Sequence, residues 1–129
     1  MAILLHGRAT EVGSNGILPP VIDIDQVGPI ADYELPKALR ALGIFRYSDE
    51  FAELVDNWKE VVKDSQMEIE IRAATVAVCF KFLECVNAHR EHLPYALPPI
   101  NICHLDYWLW KMGKEIKTSR PHLTRTSAY

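Results

Sequence analysis

A chain of 129 residues that is 49% hydrophobic can form one domain with a genuine core. Its formal net charge of −3 at pH 7, with acids and bases interspersed, excludes the broad basic surface that duplex DNA or an anionic bilayer demands. A nucleotide-sized anion remains compatible with that balance.

Three cysteines, Cys79, Cys85 and Cys103, are odd in number, and two fall in apolar helical surroundings. That usage points to reduced thiols in a cytoplasmic protein. The spacing of Cys79 and Cys85, with no tight Cys/His pairing beside them, argues against zinc. The apolar run near the N-terminus is too brief for a signal peptide, and no run of roughly 18 apolar residues occurs, so no membrane span is expected.

Residues 1–30 hold Gly13, Gly16, Pro19, Pro20, Gly28 and Pro29 and read as a poorly specified lead-in. From Ala31 the signals turn helical, and residues 31–129 form the helical portion. Pro36 is tolerated in a first turn, Leu35, Leu39 and Leu42 share a face, and Gly43 is a natural stop, so a helix is predicted over 36–42. Asp32 lies just upstream, near free backbone N–H groups and the positive end of the dipole. It is either a cap or a carboxylate placed for chemistry.

Ser48 reads as the N-cap of a short second helix with Phe51, Leu54 and Val55 on one face. Ser65-Gln66-Met67-Glu68 has the form of a capping box and opens a long helix to about Asn87, expected to be central and buried on several sides. Within it Glu68 and Arg72 are spaced for an i,i+4 pair, and Glu70 and Arg72 for a structural acid–base pairing. Asn101 caps a last helix through about Met112, stopped by Gly113. Ile102, Leu105, Trp108, Leu109 and Met112 form its packing face, while Asp106, Tyr107 and Trp110 project elsewhere. Asp106 and Trp110, one turn apart, offer an acceptor and a stacking ring for a planar nitrogenous base; a surface acid beside a half-buried indole fits the same spacing. The tail from Arg120 brings two guanidinium groups, an imidazole and several hydroxyls into ten residues, either for a phosphate or as a solvated end.

Several blocks in one order carry a further signal: Ala31-Asp32-Tyr33-Glu34-Leu35-Pro36 with Ala38 to Gly43, Tyr47-Ser48, Glu68 to Thr75, Leu105 to Trp110, and the ending Pro121 to Tyr129. Together they resemble the C-terminal part of the queuosine salvage proteins, the queuosine 5′-phosphate N-glycosylase/hydrolase family. The resemblance implies an all-α domain related to the helix-hairpin-helix DNA glycosylases. It also implies hydrolysis of queuosine 5′-monophosphate to release queuine for tRNA modification, with no cofactor, no metal and no direct contact with nucleic acid. Asp32 then corresponds to the catalytic acid. Asp106 and Trp110 are candidates for the base, Tyr33 for binding the substrate, and His122, Arg125 and Tyr129 for ordering the site or meeting the phosphate.

Two departures stand out. Glu34 replaces an arginine of the family block, which repels a nearby phosphate and raises the pKa of Asp32 if the two approach; Lys37 offsets part of that charge. The chain also resembles only about the last third of such an enzyme. A truncated, non-catalytic member acting as a binding module is therefore the alternative, with apolar surface left for a partner or for self-association.

Overall fold

The computed structural model describes residues 23–95 and 97–127. Most of the lead-in, through residue 22, and Tyr129 lie outside the described residues. A single 3-10 turn, Ile24–Gln26, precedes four helices: α1 (Glu34–Ala41), α2 (Asp49–Asp56), α3 (Gln66–Arg90) and α4 (Ile102–Glu115). Among the described residues the only extended pairing is an isolated bridge between Glu60 and Leu123, so the domain is all-helical. None of these helices is long and apolar enough to cross a membrane.

The helix starts follow their caps. Ser48 Oγ accepts from Phe51 N at 3.2 Å, and Ser65 Oγ accepts from Glu68 N at 3.3 Å. The second half of the predicted box at Ser65 does not form: Ser65 N–H donates to Val62 O, and the Glu68 carboxylate turns to Arg72 Nη1 at 3.3 Å. A full box forms instead at Asn101, whose N–H donates to His104 Nδ1 while its Oδ1 accepts from His104 N, both at 3.1 Å.

α1 and α2 end alike. Gly43, at φ 73°, closes α1 with N–H bonds from Gly43 to Arg40 O and from Ile44 to Leu39 O. Trp58, at φ 58°, closes α2 with the equivalent bonds from Trp58 to Val55 O and from Lys59 to Leu54 O. This is the left-handed helix end that glycine adopts without strain.

The main core packs Leu35, Ala38 and Leu39 of α1 against Ile102, Leu105 and Leu109 of α4, with Cys79 of α3 beneath. Each such leucine contributes about 1.5–3 kcal/mol by leaving water. A second cluster joins Phe51 and Val55 of α2 to Val61 and to Ile71 of α3, and Phe45 touches both clusters. The Arg40 guanidinium makes a two-pronged pair with the Asp56 carboxylate at 2.7 and 2.8 Å, tying α1 to the end of α2.

Four expectations need correcting. α3 is not buried on several sides: it buries the seam Glu68, Ile71, Thr75 and Cys79, while Ile69 is 52% and Phe80 38% exposed, because α1 and α4 cover one side of it only. Glu70 does not pair with Arg72; it accepts from Gln66 Nε2 at the surface. Gly113 does not stop α4, which continues to Glu115. A Cβ at Gly113 would lie 2.7 Å from Glu34 O and 2.9 Å from Glu34 Oε2, so glycine is there for the close approach of the start of α1. Trp108 also leaves the packing face, at 47% exposed.

Candidate functional site

Asp32 acts as the cap of α1 from outside the helix. Its Oδ1 accepts from Glu34 N at 2.8 Å and from Leu35 N at 3.2 Å, and among the described residues Oδ2 makes no hydrogen bond. One oxygen thus holds the helix end and the other is left for a second task. Burial raises the Asp32 pKa; the two backbone N–H groups pull it back, the Glu34 charge adds to the rise, and Lys114 counters it.

Asp106 is buried, contrary to its expected outward projection. Its Oδ1 accepts from Ile30 N at 2.8 Å, and Ile30 O in turn accepts from Asp32 N at 2.7 Å. One residue, Ile30, therefore links α4 to the segment carrying Asp32. Burial pushes the Asp106 carboxyl up to about 6, the Ile30 bond opposes that, and the charge of Asp32 adds to it.

Glu34 is buried between two ammonium groups. Its Oε2 lies 3.2 Å from Lys37 Nζ and its Oε1 lies 3.6 Å from Lys114 Nζ. Lys114 also sits 5.9 Å from the Tyr33 ring centroid and 5.3 Å from that of Trp110. Sequence reasoning missed Lys114, although its position one turn beyond Trp110 on α4 was a usable signal. Trp110 itself is 39% exposed and stacks on Tyr107 at 6.3 Å, so it does not share the buried environment of Asp106.

His122 and Arg125 lie apart from this corner, on the tail. Val61 N–H donates to Leu123 O at 2.7 Å and docks the tail beside the second core, so through residue 127 it is not a loose end. His122 is 2% exposed, with its ring 6.5 Å from that of Phe51. Burial lowers its pKa to about 4; Glu68 opposes and Arg72 reinforces that shift. Arg125 is almost fully exposed, with Nε 3.4 Å from Glu60 Oε2. Tyr33, His122 and Arg125 nevertheless line one open cleft of about 580 Å³, with Trp58, Glu60 and Thr124. A second cleft of about 470 Å³ runs between Ile30-Ala31 and Glu68, Arg72 and Val76 of α3. Asp32 falls in the chain between the residues that line the two. Among the described residues no cluster of His, Cys, Asp and Glu has the make-up of a metal site.

A sequence model of the queuosine salvage proteins matches residues 9–129, which starts upstream of the blocks quoted above. The chain is 36% identical over 110 residues to the queuosine 5′-phosphate N-glycosylase/hydrolase of Dictyostelium discoideum, covering 83% of this chain and 32% of that protein. Proteins of the same name match from Sphaerobacter thermophilus, at 30% identity over 83% of this chain and 32% of that protein. The Schizosaccharomyces pombe protein of that name matches at 29% identity over 72% of this chain and 24% of its own length. The chain thus spans about a third or less of the relatives it matches. An all-helical domain matched over residues 9–129, with Asp32 capping the start of α1, belongs to the queuosine salvage protein family.

Proposed function

We propose that this chain supplies the acid-bearing part of a queuosine 5′-phosphate N-glycosylase/hydrolase. In this reading the bond between the ribose C1′ and the base nitrogen breaks and its electron pair leaves with the base. A water then adds to C1′, and its proton goes to the departing nitrogen by way of a carboxylate. Asp32 stabilises the cationic, oxocarbenium-like ribose and orients or deprotonates that water. No cofactor takes part, the released queuine serves tRNA modification, and the scaffold is related to that of the helix-hairpin-helix glycosylases. The place of action is the cytoplasm.

The observation that supports this most is the half-engaged Asp32 carboxylate, held at a helix start by two N–H groups and braced to Asp106 through Ile30. Ionised Asp32 is what the chemistry requires; burial raises its pKa, and the two N–H bonds and Lys114 favour the ionised form against that rise. Asp106 fixes the segment, and Tyr33, which lines the cleft with His122 and Arg125, offers a ring to the planar base. His122, Arg125 and Tyr129 order the site.

The deciding experiment incubates the purified chain with queuosine 5′-monophosphate and follows free queuine by mass spectrometry, beside Asp32→Ala. Release is expected from the wild type, with a fall of roughly 10²–10³ in the variant, the size typical of losing one electrostatic stabiliser. A helical wild-type chain that releases nothing moves the reading to the non-catalytic binding module. In that case the exposed Ile69 and Phe80 of α3 offer apolar surface to a partner or a second copy.

A further inference from the structure

The two like-built helix ends differ in one respect. At α1 the left-handed position holds Gly43; at α2 it holds Trp58, at φ 58°. A side chain in that region brings Cβ against the following carbonyl, so an aromatic residue there is strained where glycine is not. Burial does not compensate, because Trp58 is 53% exposed. Backbone strain that persists without local benefit is characteristic of positions where the side chain must be presented to something else.

The place where Trp58 is presented is specific. Its ring lines the cleft of about 580 Å³ that also holds Tyr33, His122 and Arg125. That volume suits a small-molecule ligand. In the cleft wall the Thr124 hydroxyl is buried and makes no hydrogen bond among the described residues. The Arg120 guanidinium sits 5.1 Å from the Trp58 ring centroid and donates to the Asp56 carbonyl, which fixes the indole from outside.

We propose that Trp58 is a ligand-binding residue of this cleft, its indole stacking on the planar heteroaromatic base of the nucleotide. The proposal rests on the nucleotide-hydrolase reading above. Indole offers the largest π-face of any side chain, and stacking of a base on an aromatic residue tolerates substitution by a smaller ring better than its deletion. The strain then has a reason: the left-handed helix end turns the ring toward Tyr33 and the tail instead of along α2.

The test uses the full chain with two probes, free queuine and ribose 5-phosphate, titrated by calorimetry into wild type, Trp58→Gly and Trp58→Phe, with thermal unfolding of each. Glycine suits the backbone at this position, so Trp58→Gly is expected to keep or raise the Tm while weakening queuine binding roughly tenfold or more. Trp58→Phe is expected to stay within about threefold of wild type for queuine. Ribose 5-phosphate binding is expected to be unchanged in both. Unchanged queuine affinity in Trp58→Gly overturns the proposal, as does a fall in Tm with equal losses for both probes, which makes Trp58 only a perch for Arg120. A wild type that binds queuine through Trp58 without hydrolysing the nucleotide overturns the hydrolase reading and leaves this assignment standing. A wild type that binds neither probe overturns both.

Discussion

The Asp106 corner and the His122 pocket bury their ionisable groups to similar depth, 6% and 2% exposed, and shift them in opposite directions. In each case burial favours the uncharged form, but that form is the protonated one for a carboxyl and the deprotonated one for an imidazole. Acidification therefore relieves the corner that carries Asp32 and loads the pocket that docks the tail. Two parts of one small domain respond to the same proton with opposite sign, and the difference lies in which element supplies each group. Asp106 is carried by α4 against the start of α1, and His122 by a tail that the Val61–Leu123 bond, the Arg120 bond to the Asp56 carbonyl and the Arg125–Glu60 pair hold against the end of α2 and the segment after it.

The largest effect is expected at His122. Its folded pKa, lowered to about 4 from 6.5, lies below the unfolded value, so the stability it contributes is complete above pH 6.5 and is lost as pH falls toward 4. The loss amounts to roughly 3 kcal/mol over that window. Urea unfolding of His122→Leu from pH 7 to 4 should lack that decline, whatever its stability at pH 7. An identical slope in the variant and the wild type would remove His122 from the account.

Asp106 should show the converse. Its folded pKa of about 6, against 3.8, means that the native state holds the proton more tightly, so stability falls as pH rises from 3.8 to 6 and is constant above. Asp106→Asn keeps an oxygen to accept from Ile30 N–H and removes the buried charge. It should be more stable than wild type at pH 7 by roughly 2–3 kcal/mol, with no difference below pH 4. A variant no more stable at pH 7 than at pH 4, relative to wild type, would mean that Asp106 ionises as an ordinary carboxyl.

Much of the helical plan was legible because it is written in local signals. Ser48, Ser65 and Asn101 each cap the helix that they predict, and the leucines of α1 face the core as their spacing requires. What was not legible depends on contacts between elements. Nothing in the sequence around Ile69 and Phe80 tells which side of α3 the other helices cover. Asp106 looked like a surface acid because its partner, the N–H of Ile30, is 76 residues away. Asp32 was placed correctly at a helix start, because an acid four residues ahead of Pro36 is a local pattern, whereas its tie to Asp106 is not. Trp58 gave no signal at all, since its interest lies in a backbone angle and a shared cleft.

Gly113 is where a local rule misled most, and it gives the finest probe of the comparison. Glycine near a helix end reads as a stop, but α4 runs through it, and its missing Cβ makes room for the backbone and carboxylate of Glu34. Gly113→Ala gains helix propensity of about 1 kcal/mol in α4 and must push the start of α1 outward. The clash is with backbone at 2.7 Å, which cannot rotate away, so overpacking should prevail with a net loss of about 1–2 kcal/mol. Because Glu34 N–H is also the donor to Asp32, the displacement should loosen the Asp32 cap and leave the His122 pocket as it was. Amide exchange measures this directly: faster exchange at Glu34 and Leu35, with Val61 N–H, which bridges to the tail, unchanged. If Val61 exchanged faster to the same degree, the two corners would be one cooperative unit, and their opposite responses to pH would have to be read as a single balance rather than as two local ones.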